Sequence, residues 1–329
     1  MLEAQRYAIG VDLGGTNLRA ALLDVSSGQL SSLRSTPTLG REGFEAVITR
    51  MAALIQEVIA DSPIPANQIN SAGIGVPGMA DLEHGETLFL PNLPGQWRGV
   101  PLARLVSSAT WLPVRLLNDV RAMTLGEWAF GAGRGVETMA CFAVGTGIGG
   151  GLVIGGRLHL GYNGTAGELG HQVVEPNGLV CGCGGRGCLE TVASGPAIAS
   201  QGARAVMQGL TTAIAELAGF DLNRITPEVV CQAAQQGDPV ALEIYERAGT
   251  YLGIGVANVV TALAPQRVVI GGGVAQAGEL LLGPVRRTVR ERVHLTPVER
   301  VEIVPAELGT NAGLVGAAYW SLISDAILA

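Results

Sequence analysis

Ile9-Gly10-Val11-Asp12-Leu13-Gly14-Gly15-Thr16 and, much later, Phe142-Ala143-Val144-Gly145-Thr146-Gly147-Ile148-Gly149 carry the same message twice. In each, an apolar run of strand character breaks into a glycine-rich turn, and a second apolar run follows at 18–24 or 149–154. A third strand completes each meander, at 29–36 and at 157–160. Glycine at such a turn lets an anion approach the main-chain N–H groups, where any Cβ would obstruct it. After the first meander, Val47, Met51, Leu54, Ile55 and Val58 recur at helical spacing over 44–59. Strands are expected at 71–76 and 113–117, the latter running into a helix over 119–130. After the second meander come an apolar helix over 251–263, strands at 267–270 and 301–304, and a closing helix from Ala312. A meander followed by helices, twice in one chain, predicts a two-lobed α/β protein with a cleft between the lobes.

Length agrees, since 329 residues at roughly 150 per domain suggest two. Hydrophobic residues make up 48% of the chain, enough for sizeable cores, which excludes disorder. The 48 glycines fall in clusters without a G-X-Y period, which excludes collagen. A formal charge of -7 argues against a nucleic-acid partner. No lysine occurs; all 21 basic residues are arginine. That excludes Walker-type NTPases, Schiff-base chemistry and protein kinases, each of which needs a lysine. Any ATP must be held by backbone amides, hydroxyls, arginine and a metal. The first residues show no export signal, so a cytoplasmic location is expected. The uncharged stretches 138–156 and 248–266 read as a glycine-broken hairpin and a buried helix, so no membrane span is expected.

Three constellations carry chemistry. In Asp12-Leu13-Gly14-Gly15-Thr16-Asn17, the glycines admit phosphate oxygens, Thr16 and Asn17 add donors, and Asp12 suits a Mg²⁺ shell. Its echo at Thr146-Gly147 is a second such turn, and Gly271-Gly272-Gly273 leaves room for a ribose or base. Asn118-Asp119 ends a strand, where α/β sheets bind ligands. Asp119 there is either a helix N-cap or the base of a phosphoryl-transfer site. His171, Cys181, Cys183 and Cys188 make a closed tetrahedral Zn²⁺ set with no position left for an activated water, so the zinc is expected to be structural. Glu168 and Glu190 flank that loop and would be brought together as acceptors for polyol hydroxyls. Cys141 and Cys231 stand alone, His84, His159 and His294 read as structural or surface residues, and Trp97 reads as a loop anchor.

With Gly75-Val76-Pro77-Gly78 and Asn311-Ala312-Gly313-Leu314-Val315-Gly316-Ala317 added, these motifs resemble the ROK (repressor, open reading frame, kinase) sugar kinases of the ATP-dependent bacterial glucokinase type, along nearly the whole chain. The resemblance implies an actin-like, hexokinase and ribonuclease H-like duplicated α/β fold, two lobes closing over a sugar in the cleft. It implies a smaller lobe over 1–118, completed by a closing helix over 312–329, and a larger one over 119–311 with the zinc loop at 167–190. Asp119 would be the general base, and Asn118, Glu168, His171 and Glu190 would bind sugar hydroxyls, with Gly78 and Asn92 nearby. Asp12, Gly14, Gly15, Thr16, Asn17, Thr146 and Gly147 would serve the phosphates and Mg²⁺, and Gly272 and Gly273 the nucleoside. Many members carry lysine where Asn17 stands, with Arg19 a candidate substitute. A homodimer is implied, with a homotetramer as the alternative. The expected activity is phosphorylation of glucose by ATP. Alternatives are a fructokinase, an N-acetylmannosamine kinase, a polyphosphate glucomannokinase or a non-catalytic sugar sensor. Family repressors carry an N-terminal helix-turn-helix, and none precedes Tyr7. In this reading the zinc touches no phosphate, so its loss is expected to weaken sugar binding and spare ATP.

Overall fold

A computed structural model describes residues 6–323. The meander is β1 (Tyr7–Leu13), β2 (Asn17–Asp24) and β3 (Gln29–Pro37), antiparallel throughout. Helix α1 (Phe44–Ala60) sets its apolar stripe into the core over this sheet. β4 (Ile69–Val76) returns parallel to β1, with Asp12 beside Gly75. A separate hairpin, β5 (Met79–Asp81) and β6 (Glu86–Phe89), and helix α2 (Leu102–Thr110) lead to β7 (Val114–Asn118), parallel to β4. Helix α3 (Asp119–Phe130) starts directly at its end.

The second copy opens with β8 (Met139–Val144), β9 (Ile148–Ile154) and β10 (Arg157–Leu158). Helices α4 (Glu190–Ala193), α5 (Gly195–Met207), α6 (Ala213–Leu217), α7 (Pro227–Gln235) and α8 (Pro239–Leu263) follow. β11 (Arg267–Gly271), α9 (Glu279–Arg292), β12 (Glu302–Pro305) and α10 (Ala312–Leu322) close the described chain. The two large sheets run β3-β2-β1-β4-β7 and β10-β9-β8-β11-β12. In both, a meander lies in reverse order and two parallel strands are added beside its first strand. The sequence echo is therefore a duplication of one sheet, in the actin-like arrangement.

The chain divides into two compact units. One holds the chain up to Gly135, the stretch Leu152–Ala166 and the described residues from Glu307; the other holds Val136–Gly151 and Gly167–Ala306. The expected junction after residue 118 lies elsewhere, because α3 packs against α10 inside the first unit. A Cβ on Gly126 would stand 2.3 Å from the Ala312 carbonyl, and one on Gly316 1.7 Å from that of Ala122, so the two helices meet backbone to backbone. Buried Glu127 on α3 adds three backbone bonds, accepting from Ala132 (2.9 Å), Glu307 (3.0 Å) and Leu308 (2.8 Å). Residues 152–166 join this unit because Leu158 is buried in the cluster of Leu117, Leu125 and Trp320. The 1–5 end of the expected small lobe and the 324–329 end of its closing helix lie outside the described residues.

Other differences have local causes. α8 begins at Pro239, well before the expected 251, because Asp238 caps it by accepting from Ala241 N at 2.8 Å. Pro284 interrupts the pattern of α9. Among the described residues no helix is long and apolar enough to cross a membrane.

Candidate active site

In the first unit, Asp12, Gly78 and Asn118-Asp119 gather at the carboxyl ends of the parallel strands β1, β4 and β7, where sheets of this kind bind ligands. The Gly14–Asn17 turn is closed by Gly14 N donating to Asn17 O at 3.0 Å. Buried Thr38 braces it from behind, its hydroxyl donating to Gly14 O at 2.7 Å and its N–H to Thr16 O at 2.8 Å. Gly15, Thr16 and Asn17 are left exposed. A Cβ on Gly15 would stand 3.0 Å from the carbonyl of Asn92, a tight contact that this carbonyl would have to relieve by giving way slightly. Burial raises the Asp12 carboxyl above its ordinary range, opposed by Arg19.

Asp119 is the first residue of α3 and not its cap. Asn118 is the N-cap of α3, its Oδ1 accepting from Val120 N and Arg121 N, both at 3.1 Å. Its Nδ2 donates to Gly78 O at 3.0 Å and Asp119 Oδ1 at 2.9 Å. The amide is thus fully used. Asn118 positions Asp119, and binding a sugar hydroxyl would require it to release one of these bonds. Gly78, with φ +127° and no room for a Cβ beside Phe89 O, offers its carbonyl to this network. Asp119 takes Val120 N on Oδ1 at 2.9 Å, and its Oδ2 has no hydrogen-bond partner among the described residues. Burial pushes its carboxyl up to about 6; the Val120 N–H opposes this and the Asp12 charge adds to it. That places it near neutrality, as a general base requires.

The second unit holds the other turn. Gly145 N donates to Gly147 O at 2.9 Å, and no acceptor among the described residues takes the N–H of Thr146 or Gly147. β11 pairs Gly271 with Ala143, bringing the second glycine cluster beside this turn. Gly272 has φ +89°, and a Cβ there would meet the Val144 carbonyl at 2.3 Å. Gly273 faces open space.

His171, Cys181, Cys183 and Cys188 converge, one ligand atom from each within 4.8 Å of the others. Cys183 and Cys188 have their sulfurs 3.7 Å apart, and Cys181 Sγ lies 3.7 Å from His171 Nδ1. A tetrahedron of 2.3 Å metal–sulfur bonds has an edge of about 3.8 Å, so the set fits one Zn²⁺-sized ion. With Nδ1 facing the thiols, His171 turns Nε2 toward Glu168 Oε2, 4.0 Å away. Glu190 Oε1 lies 3.0 Å from Cys181 Sγ. The two flanking carboxylates therefore address different edges of the cluster.

Other expectations divide. Asn92 is exposed on a loop anchored by buried Leu93 and Trp97, and Trp97 meets Phe44 edge to face at 6.2 Å. Arg19 donates to Thr310 O and Asn311 Oδ1 at 2.7 Å each, which uses two of its five N–H donors. His84 pairs with Asp81 at 2.8 Å on the surface. Thr38 and Glu127 escaped the sequence reading, because one threonine or glutamate has no pattern that marks its partner.

A profile of the ROK family matches residues 8–323. A glucokinase of Thermotoga maritima is 40% identical over 319 residues, 97% of this chain and 98% of its own. A ROK family glucokinase from Streptomyces griseus, crystallised with glucose and AMPPNP, has a TM-score of 0.83 at 34% identity, covering 95% of this chain and 98% of that one. A xylose repressor of Caldicellulosiruptor bescii is 33% identical over 94% of this chain and 76% of its own length. With the profile running from β1 to the end of α10 and relatives aligned along nearly the whole chain, this protein belongs to the ROK family.

Proposed function

We propose that this protein transfers the γ-phosphoryl group of Mg²⁺-ATP to glucose, giving glucose 6-phosphate and ADP in the cytoplasm. The observation that carries the reading is Asp119: Asn118 does the capping, leaving a carboxyl with a free oxygen and a midpoint of about 6. A sugar sensor has no use for such a group, which favours catalysis over the regulation that the repressor relative suggests. Asp119 takes the proton of the attacking sugar hydroxyl, and the oxygen bonds to the γ-phosphorus as ADP leaves. The turn at Gly14, Gly15 and Thr16, exposed at its last two residues, and the N–H groups of Thr146 and Gly147, unpaired among the described residues, suit phosphate oxygens, and Gly272 and Gly273 leave space for the nucleoside. Mg²⁺ would arrive with the nucleotide and neutralise its phosphate charge, Asp12 lying close to that charge.

His171, Cys181, Cys183 and Cys188 would hold one structural Zn²⁺. His171 Nε2, fixed by the metal on Nδ1, would face the sugar with Glu168. The glucokinase relatives support glucose over fructose, N-acetylmannosamine or mannose as acceptor, and ATP over polyphosphate as donor. A homodimer is part of the same reading and is checked by light scattering. The central test is a coupled ADP-release assay over these sugars, with polyphosphate as an alternative donor. Turnover of none of them by metal-replete protein would reject the proposal.

A further inference from the structure

Glu190 stands between the metal cluster and the second glycine turn. Its Oε1 lies 3.0 Å from Cys181 Sγ and 3.8 Å from His171 Nδ1. Its Oε2 accepts from Ile148 N at 3.4 Å and lies 2.8 Å from where a Cβ on Gly147 would be. Only Leu189 separates it from the ligand Cys188. Leu189 is fully buried, donates its N–H to Gln172 O at 2.9 Å, and fills the space above Gly255 of α8, where a Cβ would come within 2.6 Å of it. Four residues of α4 further on, Ser194 caps α5 and Gly195 N donates to Gly145 O at 2.8 Å. The turn is thus gripped at Gly145 and at Ile148 by a segment whose other end is a metal ligand.

We infer that Glu190 is a positioning residue for the nucleotide, carrying the order of the metal cluster into the Gly145–Ile148 turn, so that nucleotide affinity depends on the metal. This rests on the proposed assignment of that turn to the phosphates, and it reverses the expectation that metal loss spares ATP. The physical reason is preorganisation. The N–H groups of Thr146 and Gly147 form an anion site only while the turn keeps its shape. Glu190 uses the neighbouring Ile148 N–H to hold that shape, leaving those two for the ligand. Groups that support a metal's own ligands commonly change affinity or activity by roughly 10–100-fold when removed.

The test measures AMPPNP binding with Mg²⁺ and no sugar, by calorimetry on metal-replete protein, with elemental analysis and circular dichroism on the same samples. E190A should keep its fold and weaken AMPPNP roughly ten-fold or more. E190Q, whose amide oxygen still accepts from Ile148 N, should stay close to wild type, and so should E168A, which faces the other edge of the cluster. Wild-type protein stripped of metal should lose AMPPNP affinity and regain it on refilling with zinc. Unchanged or tighter AMPPNP binding by E190A, with only sugar binding weakened, would overturn the inference and leave Glu190 a sugar ligand alone. Equal affinity of stripped and refilled wild type would overturn it as well. Wild-type protein that binds glucose but no AMPPNP would remove the phosphate assignment itself, and the coupling with it.

Discussion

The turn after β1 and the turn after β8 occupy the same place in two copies of one sheet, but they are held by different means. The first is braced by its own neighbourhood, with Thr38 from the end of the meander and the Asn92 carbonyl pressed against Gly15. It carries its charge within the strand, as Asp12. The second has Gly145 where the aligned first copy has Asp12, and its carboxylate comes from the metal loop, as Glu190. What repeats is backbone geometry, which strand pairing and glycine produce wherever they recur. What differs is the bracing, which comes from elements the copies do not share: the first has a single helix after its meander, the second a cysteine loop and five helices.

The largest effect should come from the unit that carries the proposed base. Asp119→Asn keeps the cap and fold, so kcat should fall by about 10²–10⁴ with AMPPNP affinity unchanged; near-normal turnover would remove Asp119 from the mechanism. The same group sets the pH dependence. Its midpoint of about 6 lies above the ordinary carboxylate value, so the proton-accepting form gains as pH rises. kcat/KM should climb through pH 6 and level off above it, and an acid limb near pH 4 would contradict the buried environment.

Gly15→Val tests the first turn directly. The branched side chain crowds the Asn92 carbonyl and would occupy the proposed phosphate approach, so the KM for ATP should rise by roughly 10²-fold, more than that for glucose. Gly147→Ala tests the second. Its methyl presses on the Glu190 carboxylate, so AMPPNP affinity should drop about ten-fold while zinc stays bound at about one per chain. If Gly147→Ala expelled the metal instead, Glu190 would be a stronger part of the cluster than its 3.0 Å approach to Cys181 suggests. The smallest effect is expected at Gly255. Alanine there is the better helix former by about 1 kcal/mol, but its methyl overlaps Leu189, at a cost of about 1–3 kcal/mol. Thermal denaturation should show a drop of a few degrees in Tm, and a rise would mean that Leu189 is free to move.

Much of the site was legible because its signals are local. Asp12 to Asn17, Thr146 and Gly147, and the His171–Cys188 set are short strings whose residue types state their chemistry, and the structure gathers the last of them within bonding reach of one ion. No helix was named from sequence at α2, α5, α6, α7 or α9: α6 has only five residues and α9 carries Pro284, whereas α2, α5 and α7 are amphipathic and their period went unread. The boundary at 118, taken from the resemblance, differs from the compact units of the structure because contacts distant in sequence set them. The Gly126–Gly316 contact that binds α3 to α10 joins residues far apart in the chain.

The sequence by itself determined the doubled meander, the glycine turns, the carboxylate at the end of β7 and the metal-ligand set. Each depends on side-chain period or on spacing within a few residues, which the chain carries wherever it folds. Only the tertiary structure decided that the Asn118 amide, whose Oδ1 caps α3, also reaches Gly78, 40 residues away, through Nδ2. It decided too that Arg19 reaches Thr310, 291 residues away. Glu190, 42 residues from Ile148, faces the glycine turn as well as the thiols for the same reason. A polar side chain near several partners takes the one that packing brings within 3 Å or so at a favourable angle, and packing is set by the whole sheet.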